Sequence, residues 1–227
     1  MPSYSETMTS VAALMRDGPT KATLLRLVDV HNKIESEGAK IAGDGDRSPS
    51  GKTKASRDLV GKNASELLKA RKFVEGATKR HAEKRASIEL PAIDKTDAAG
   101  AALRGEMRNH LRGMSSLAER KAFLATASLP YLLAALEAPD ELTGINVEVR
   151  EAARSKAIDA SFPGKLAELE KERADIQLLD NATKAFADTA RNLAGLPNER
   201  ALNEFVSANV PDHSRIDVEV ERMTSAA

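Results

Sequence analysis

The segment from residue 43 to residue 53 contains the chain's nearest approach to a phosphate-binding motif. From Gly45 it reads G-D-R-S-P-S-G-K-T, so it ends in Gly-Lys-Thr as a P-loop does. A P-loop has four residues between its first Gly and that triplet, which lets the backbone amides curl around phosphates, and it follows a strand. Here five residues intervene and a helical pattern precedes. We interpret the segment as a solvated hairpin loop and expect no nucleotide and no other cofactor.

Metal ligands at useful spacing are missing from the sequence. Asp44 and Asp46 begin like a calcium loop, but the twelfth position, where such a loop needs Glu, is Ala55. The chain has no Cys, which excludes cysteine-based zinc sites, disulfides and thiolate catalysis. Its four histidines are far apart and form no H-x-x-x-H pair: His31, His81, His110 and His213. We therefore predict no metal site.

Catalytic patterns are equally weak. No Ser lies in a Gly-x-Ser-x-Gly elbow. Carboxylate pairs such as Glu168 and Glu172 fall on a charged helix face, where salt bridges with Lys165, Lys171 and Arg173 account for them. We predict no catalytic residue, no small-molecule substrate and a protein that is not an enzyme.

A basic run is the one patterned signal with functional weight. Residues 52–89 contain eleven basic and five acidic residues, a net charge of +6 in a chain whose formal net charge is +0. Acids outnumber bases from residue 137 to residue 221, so this asymmetry serves either nucleic-acid binding or docking of one half on the other, within or between subunits. The candidate phosphate contacts are Lys69, Arg71, Lys72, Lys79, Arg80, Lys84 and Arg85. Because acids interrupt the run and no aromatic platform accompanies it, nucleic-acid contact is the alternative hypothesis.

The elements that position these residues are helical. The apolar share is 41% with only 3% aromatic residues, so burial depends on Ala, Leu, Val and Ile.

No apolar run reaches the roughly 20 residues that a membrane span needs. The amino terminus lacks the features of a secretory signal. We expect a cytoplasmic protein that has no membrane partner.

The helical periodicity predicts an all-α fold in four parts. We expect a flexible arm over 1–19, a coiled-coil-like antiparallel hairpin over 20–90, a helical bundle or knob over 91–210 with a long helix at 165–194, and an extended tail over 211–227. A helix from Lys54 to Glu89 would be about 54 Å long. Since that exceeds the width of a small domain, we expect part of it to find a partner surface elsewhere.

Apolar positions on the long helices and the tail are the predicted protein interface. The tail alternates Ile216, Val218 and Val220 with acids, which is a strand pattern. A lone strand pairs with another chain, or the segment is disordered or a helical end, and these alternatives stay open. The predicted interface residues are Leu67, Val74, His81, Ile88, Leu169, Ile176, Ile216, Val218 and Val220.

Long helices, scarce aromatic residues and polarised charge favour a structural or assembly protein. It would form a homo-oligomer or be a subunit of a larger protein assembly. In general texture the Ala-rich, cysteine-free, charge-neutral chain resembles small virion or scaffolding proteins of bacteriophages. That resemblance implies an assembly role and a virion location.

Overall fold

The computed structural model describes residues 4–92, 94 and 96–225. Within them the chain forms helices and no strand, which confirms the predicted all-α class. The helices are α1 (Tyr4–Leu14), α2 (Pro19–Gly43), α3 (Pro49–Ala86), α4 (Ala98–Gly113), α5 (Leu117–Thr126), α6 (Leu129–Glu137), α7 (Asp140–Thr143), α8 (Val147–Ser161), α9 (Lys165–Leu193), α10 (Glu199–Asn209) and α11 (His213–Ser225). No helix in the described ranges is both long enough and apolar enough to cross a membrane.

The chain divides into two compact units. Unit 1 comprises residues 1–82 and 171–227, and unit 2 comprises residues 83–170. This grouping differs from the predicted division, which placed the whole of 91–210 in one knob. The apolar stripe of α9 decides it, because Leu179 and Phe186 lie in the same core as Leu24, Ile34 and Leu67 of the hairpin.

The hairpin of α2 and α3 forms the frame of unit 1. Arg26 on α2 pairs with Glu66 on α3 at 2.6 Å, and the Lys52 ammonium donates to the carbonyl of Ala42 at 2.8 Å. These contacts are those expected of antiparallel helices joined by a short loop. They also place Lys52, the lysine of the Gly-Lys-Thr triplet, against the last turn of α2.

One face of α3 packs against its own chain over residues 56–81, and the expectation that part of this helix finds a partner surface elsewhere stays a prediction. Leu59, Leu67, Phe73 and Ala77 are buried in unit 1. Small residues permit the close approach: a Cβ at Gly61 would lie 2.7 Å from Oδ1 of Asn209 at the end of α10. Helix length alone did not reveal that α10 and α11 fold back along α3.

The predicted extended tail is a helix. Residues 213–225 form α11, with Ile216, Val220 and Thr224 buried and Val218 49% exposed. Ile216 and Val220 are four residues apart, a spacing that fits one helix face as well as one strand face. The alternation was therefore ambiguous, and the exposure of Val218, which a strand would place on the same face as Ile216 and Val220, shows which period applies. Residues 226–227 of the predicted tail lie outside the described residues.

The predicted flexible arm also contains a helix. In α1, Met8 and Ala12 are buried in the core of unit 1, and Met15 just after it is buried too. Gly18 separates α1 from α2 with φ +155°, a conformation that side-chain-bearing residues rarely adopt. Residues 1–3 of the predicted arm lie outside the described residues.

Unit 2 is built from the short helices α4 to α8. Leu111, Leu124, Leu132, Ile145 and Val149 form its main core. The helix starts are those expected from the sequence, because the side chains at the N-caps accept from backbone amides: Asp97 from Gly100, Ser116 from Glu119, and Asn146 from Val149.

Candidate functional site

The basic run is largely paired within unit 1. Lys69 on α3 contacts the Glu219 carboxylate at 2.8 Å, and Lys72 pairs with Asp217, both on α11. Arg71 pairs with Glu199, the first residue of α10, and donates to Oδ1 of Asn203 on the same helix. The acidic end of the chain thus neutralises part of the basic run. The charge asymmetry allowed either nucleic-acid binding or docking of one half of the chain on the other. For Lys69, Arg71 and Lys72, the acidic partners lie in the same chain.

The four remaining predicted phosphate contacts differ in exposure and pairing. Lys79 and Lys84 are exposed, and Arg80 is half-buried with one guanidinium nitrogen buried. Arg85 lies 3.5 Å from the Glu170 carboxylate within unit 2. Because phosphate binding depends on basic groups that are open to the solvent, the exposed Lys79, Lys84 and Arg85 stay candidate contacts.

The predicted interface residues are mostly packed inside the chain. Val218 is the only one of the nine that is exposed, and Val74 is half-buried. The buried ones are Leu67, His81, Ile88, Leu169, Ile176, Ile216 and Val220. Six of these seven side chains belong to apolar clusters within this chain, namely Leu67, Ile88, Leu169, Ile176, Ile216 and Val220. An interface with another molecule must be sought among other side chains.

His31 lies in the core of unit 1 and is only 3% exposed. Its Nε2 lies 2.9 Å from Oγ1 of Thr189 on α9, and the ring packs against Phe186 with centroids 5.9 Å apart. Burial lowers the pKa of the imidazole, and the Glu35 carboxylate, 3.5 Å from the same Nε2, opposes this shift. A hydrolytic triad needs the hydroxyl and the carboxylate on different ring nitrogens. His31 therefore joins α2 to α9 as a buried packing residue.

Unit 2 contains a set of cations that sequence reasoning missed. The Arg120 guanidinium donates to four backbone carbonyls, those of Leu111, Arg112, Met114 and Gly144, at 2.8–3.3 Å. Three of these carbonyls belong to the last turn of α4 or the residue after it, where the helix dipole favours a positive charge. Nothing in the sequence near Arg120 distinguishes it from a surface arginine.

Arg150 and Lys156 on α8 act in the same way. Arg150 donates to the carbonyls of Leu136 and Ala138 and to Oδ1 of Asp140. Lys156 donates to the carbonyl of Ala125 at 2.5 Å, near the end of α5. Short helices leave many carbonyls without an intrahelical partner, and these side chains satisfy them. The cations of unit 2 are therefore structural groups.

An aromatic cluster lies at the junction of α4, α5 and α6. The ring of His110 is 5.4 Å from that of Phe123 and 6.2 Å from that of Tyr131, and the last two rings are 5.2 Å apart, all edge to face. At these separations the rings fill the space between themselves, so no gap remains for a cation or a ligand ring. The local concentration of aromatic residues in a chain poor in them was the signal that could have located this cluster.

Three exposed apolar side chains lie on α5, α7 and α8 of unit 2. Leu117 is 38% exposed, Leu142 50% and Val147 69%. Leu117 and Val147 are the first residues of α5 and α8, and Leu142 lies on α7. We call these three residues the apolar rim. Contacts from α5 connect their elements, since Arg120 donates to the carbonyl of Gly144 and Lys121 pairs with Glu148 at 2.7 Å.

No group of three or more His, Asp or Glu side chains in the described ranges could hold a metal ion. Comparisons with protein-family models, with curated proteins and with solved structures found no match for the chain.

Proposed function

We propose that this protein is a non-enzymatic structural protein that assembles with copies of itself through the apolar rim. The observation that supports it is the exposure of Leu117, Leu142 and Val147 on elements that Arg120 and Lys121 connect. Exposed apolar groups that lie together tend to mark interaction surfaces, because covering them removes apolar area from water. The long helices supply the rigid body of unit 1, and the rim supplies the contact.

The charge of the chain favours the same function. Its formal net charge is +0 at pH 7, so copies do not repel one another by net charge. A scaffolding-type component in the cytoplasm or in a virion needs many copies to approach closely. The nucleic-acid alternative has less support, since Lys69, Arg71 and Lys72 already pair with carboxylates of the same chain.

Native mass spectrometry and light scattering over a range of protein concentrations test the proposal. The wild type should give masses of two or more chains. The double variant Leu117→Glu/Val147→Glu should dissociate at concentrations at least tenfold higher than the wild type. Both substitutions lie at the first position of a helix, where an acid is favourable, so the fold should persist.

A matched control introduces the same two charges elsewhere. Leu14 and Leu25 of unit 1 are 88% and 40% exposed, and Leu14→Glu/Leu25→Glu should assemble as the wild type does. A wild type that stays a single chain at the highest concentration overturns the proposal. Equal masses for the wild type and for Leu117→Glu/Val147→Glu overturn the assignment of the surface.

A further inference from the structure

Helix α11 is attached to unit 1 by one short connection. Residues 210–212 join it to α10, and Val210 has an extended backbone with φ −110° and ψ 100°. The following Pro211 favours this extended conformation of Val210 because its ring disfavours a helical conformation at the preceding residue. The connection is therefore a short bend at Pro211 that joins α10 to α11 without a glycine.

Helix α11 is held on unit 1 by ion pairs as well as by apolar contacts. Ile216 and Val220 are buried in unit 1, while Asp217 and Glu219 pair with Lys72 and Lys69 of α3. The Lys69 ammonium, which donates a hydrogen bond to the Glu219 carboxylate, holds the pKa of that carboxyl below its usual value. A helix with this pattern of acids and apolar residues is a specific occupant of the site.

Helix α11 does not fill the space between itself and α2. A cleft of about 140 Å³ opens among α2, α3 and α11, with Leu27, Ala70 and Met223 in its lining. Closely packed interiors contain few spaces much larger than a water molecule. The edge of α11 along this cleft is thus less tightly held than the core of unit 1.

We propose that α11 is exchanged between copies, so that residues 213–225 of one chain occupy the site on α3 of a second chain. The exchange rests on the proposed function, since it gives self-association a second contact and names its occupant. Every contact of α11 is kept in the exchanged form because the site and the helix are the same in each copy. Only the short connection at Val210 and Pro211 must change direction.

The absence of Cys makes the exchange directly measurable. A Cβ at Gly76 of α3 would lie 3.7 Å from Cγ2 of Thr224 on α11, so cysteines at these two positions are neighbours, as a disulfide requires. Two full-length chains, Gly76→Cys and Thr224→Cys, are mixed at high concentration and oxidised slowly. A disulfide between positions 76 and 224 of different chains requires α11 of one copy to lie on α3 of the other.

The expected result is a covalent mixed dimer of the Gly76→Cys and Thr224→Cys chains, identified by peptide mass. It should be at least tenfold more abundant than the dimer from a control mixture of the Gly105→Cys and Thr224→Cys chains. Nothing lies within 4 Å of a Cβ at Gly105, so that variant reports random collision. The double variant Gly76→Cys/Thr224→Cys should form the bond within one chain when dilute, which checks that α11 is placed and folded. A mixed dimer no more abundant than in the Gly105→Cys control overturns the exchange.

Carrying both single cysteines in the Leu117→Glu/Val147→Glu background separates the two proposals. Mixed disulfides in that background show exchange without the apolar rim. Wild-type assembly with no mixed disulfide leaves the proposed function standing and removes the exchange. A single-chain wild type that still forms the mixed disulfide removes the rim as the assembly surface and keeps the exchange.

Discussion

At the scale of single residues, the unusual feature is how much of unit 2 depends on cations that bind carbonyls. Arg120 is half-buried and reaches four carbonyls without a carboxylate partner among its hydrogen bonds. Hydrogen bonds from charged groups are stronger than those between neutral groups, and buried carbonyls left without a donor are costly. The side chain therefore stabilises the end of α4 and the connection that follows α7.

Replacing Arg120 by Met should lower the free energy of unfolding by about 2–4 kcal/mol, because several carbonyls lose their donor while the apolar stem is kept. Urea titration followed by circular dichroism measures this. Arg112→Met is the matched control on an exposed arginine that donates to the Asn109 side chain, and it should change the free energy by less than about 0.5 kcal/mol. Equal losses for the two variants would contradict the structural role of Arg120.

His31 gives the stability of unit 1 a pH dependence of known sign. Burial holds the pKa of His31 below the value of about 6.5 that an unfolded histidine has. The unfolded chain therefore binds more protons than the folded chain as the pH falls through that value, and the free energy of unfolding decreases. Above that pH both states hold neutral imidazole, and the histidine adds no pH dependence.

We expect the wild type to lose more stability between pH 7.5 and pH 5 than His31→Gln, whose amide does not titrate. Urea titrations at the two pH values measure the loss, and the carboxylates that titrate in both proteins cancel in the comparison. The same loss in both proteins would show that His31 does not titrate differently on folding.

At the scale of elements, α11 shows why a period of two and a period of 3.6 are hard to separate in short segments. Ile216 and Val220 fit both, and only Val218 distinguishes them. In a strand all three would share one face, whereas in the helix Val218 lies opposite and is 49% exposed. The same element carries Asp217 and Glu219, which pair with Lys72 and Lys69 of α3. The position of α11 therefore determines whether these two basic residues are free to bind another molecule.

Two identical substitutions on α11 test its helical form. Val220→Ala should lower the free energy of unfolding by about 1–2 kcal/mol, because two buried methyl groups are lost and a cavity is left. Val218→Ala, which removes the same atoms from the exposed face, should change it by less than about 0.5 kcal/mol. Thermal or urea unfolding of the two variants side by side gives the result. Equal effects would indicate a strand or a disordered tail.

At the scale of the whole molecule, two units of different construction share one chain. The core of unit 1 is formed along long helices, with Leu24, Leu67 and Phe186 among its fully buried side chains. Unit 2 has a smaller core between short helices and relies on side chains such as Arg120 to satisfy helix ends. Regions with fewer buried apolar contacts open at lower free energy.

Native-state hydrogen exchange should therefore show higher opening free energies for amides near Leu67 of α3 than for those near Leu111 of α4 or Val149 of α8. The same measurement on Arg120→Met should lower protection in unit 2. Comparable protection of the two cores in the wild type would contradict this difference in construction.

Several helix boundaries can be predicted from the sequence because they depend on residues that are close together in the chain. Asp97, Ser116 and Asn146 are of the residue types that cap helices, and each accepts from a nearby backbone amide. Pro91 cannot continue a helix, and α3 ends before it, at Ala86. Capping and proline effects act within one turn, so a few neighbouring residues are enough to predict them.

The sequence by itself determined the helical class and several helix starts, such as those at Asp97, Ser116 and Asn146, since each depends on residue types a few positions apart. Only the tertiary structure decided what covers those faces. Leu67 and Ile176 could have met another chain, yet they lie in the core of unit 1, and Lys69 could have met phosphate, yet it meets Glu219. Apolar contact and charge pairing depend on distance in space and carry no record of whether the partner is in the same chain.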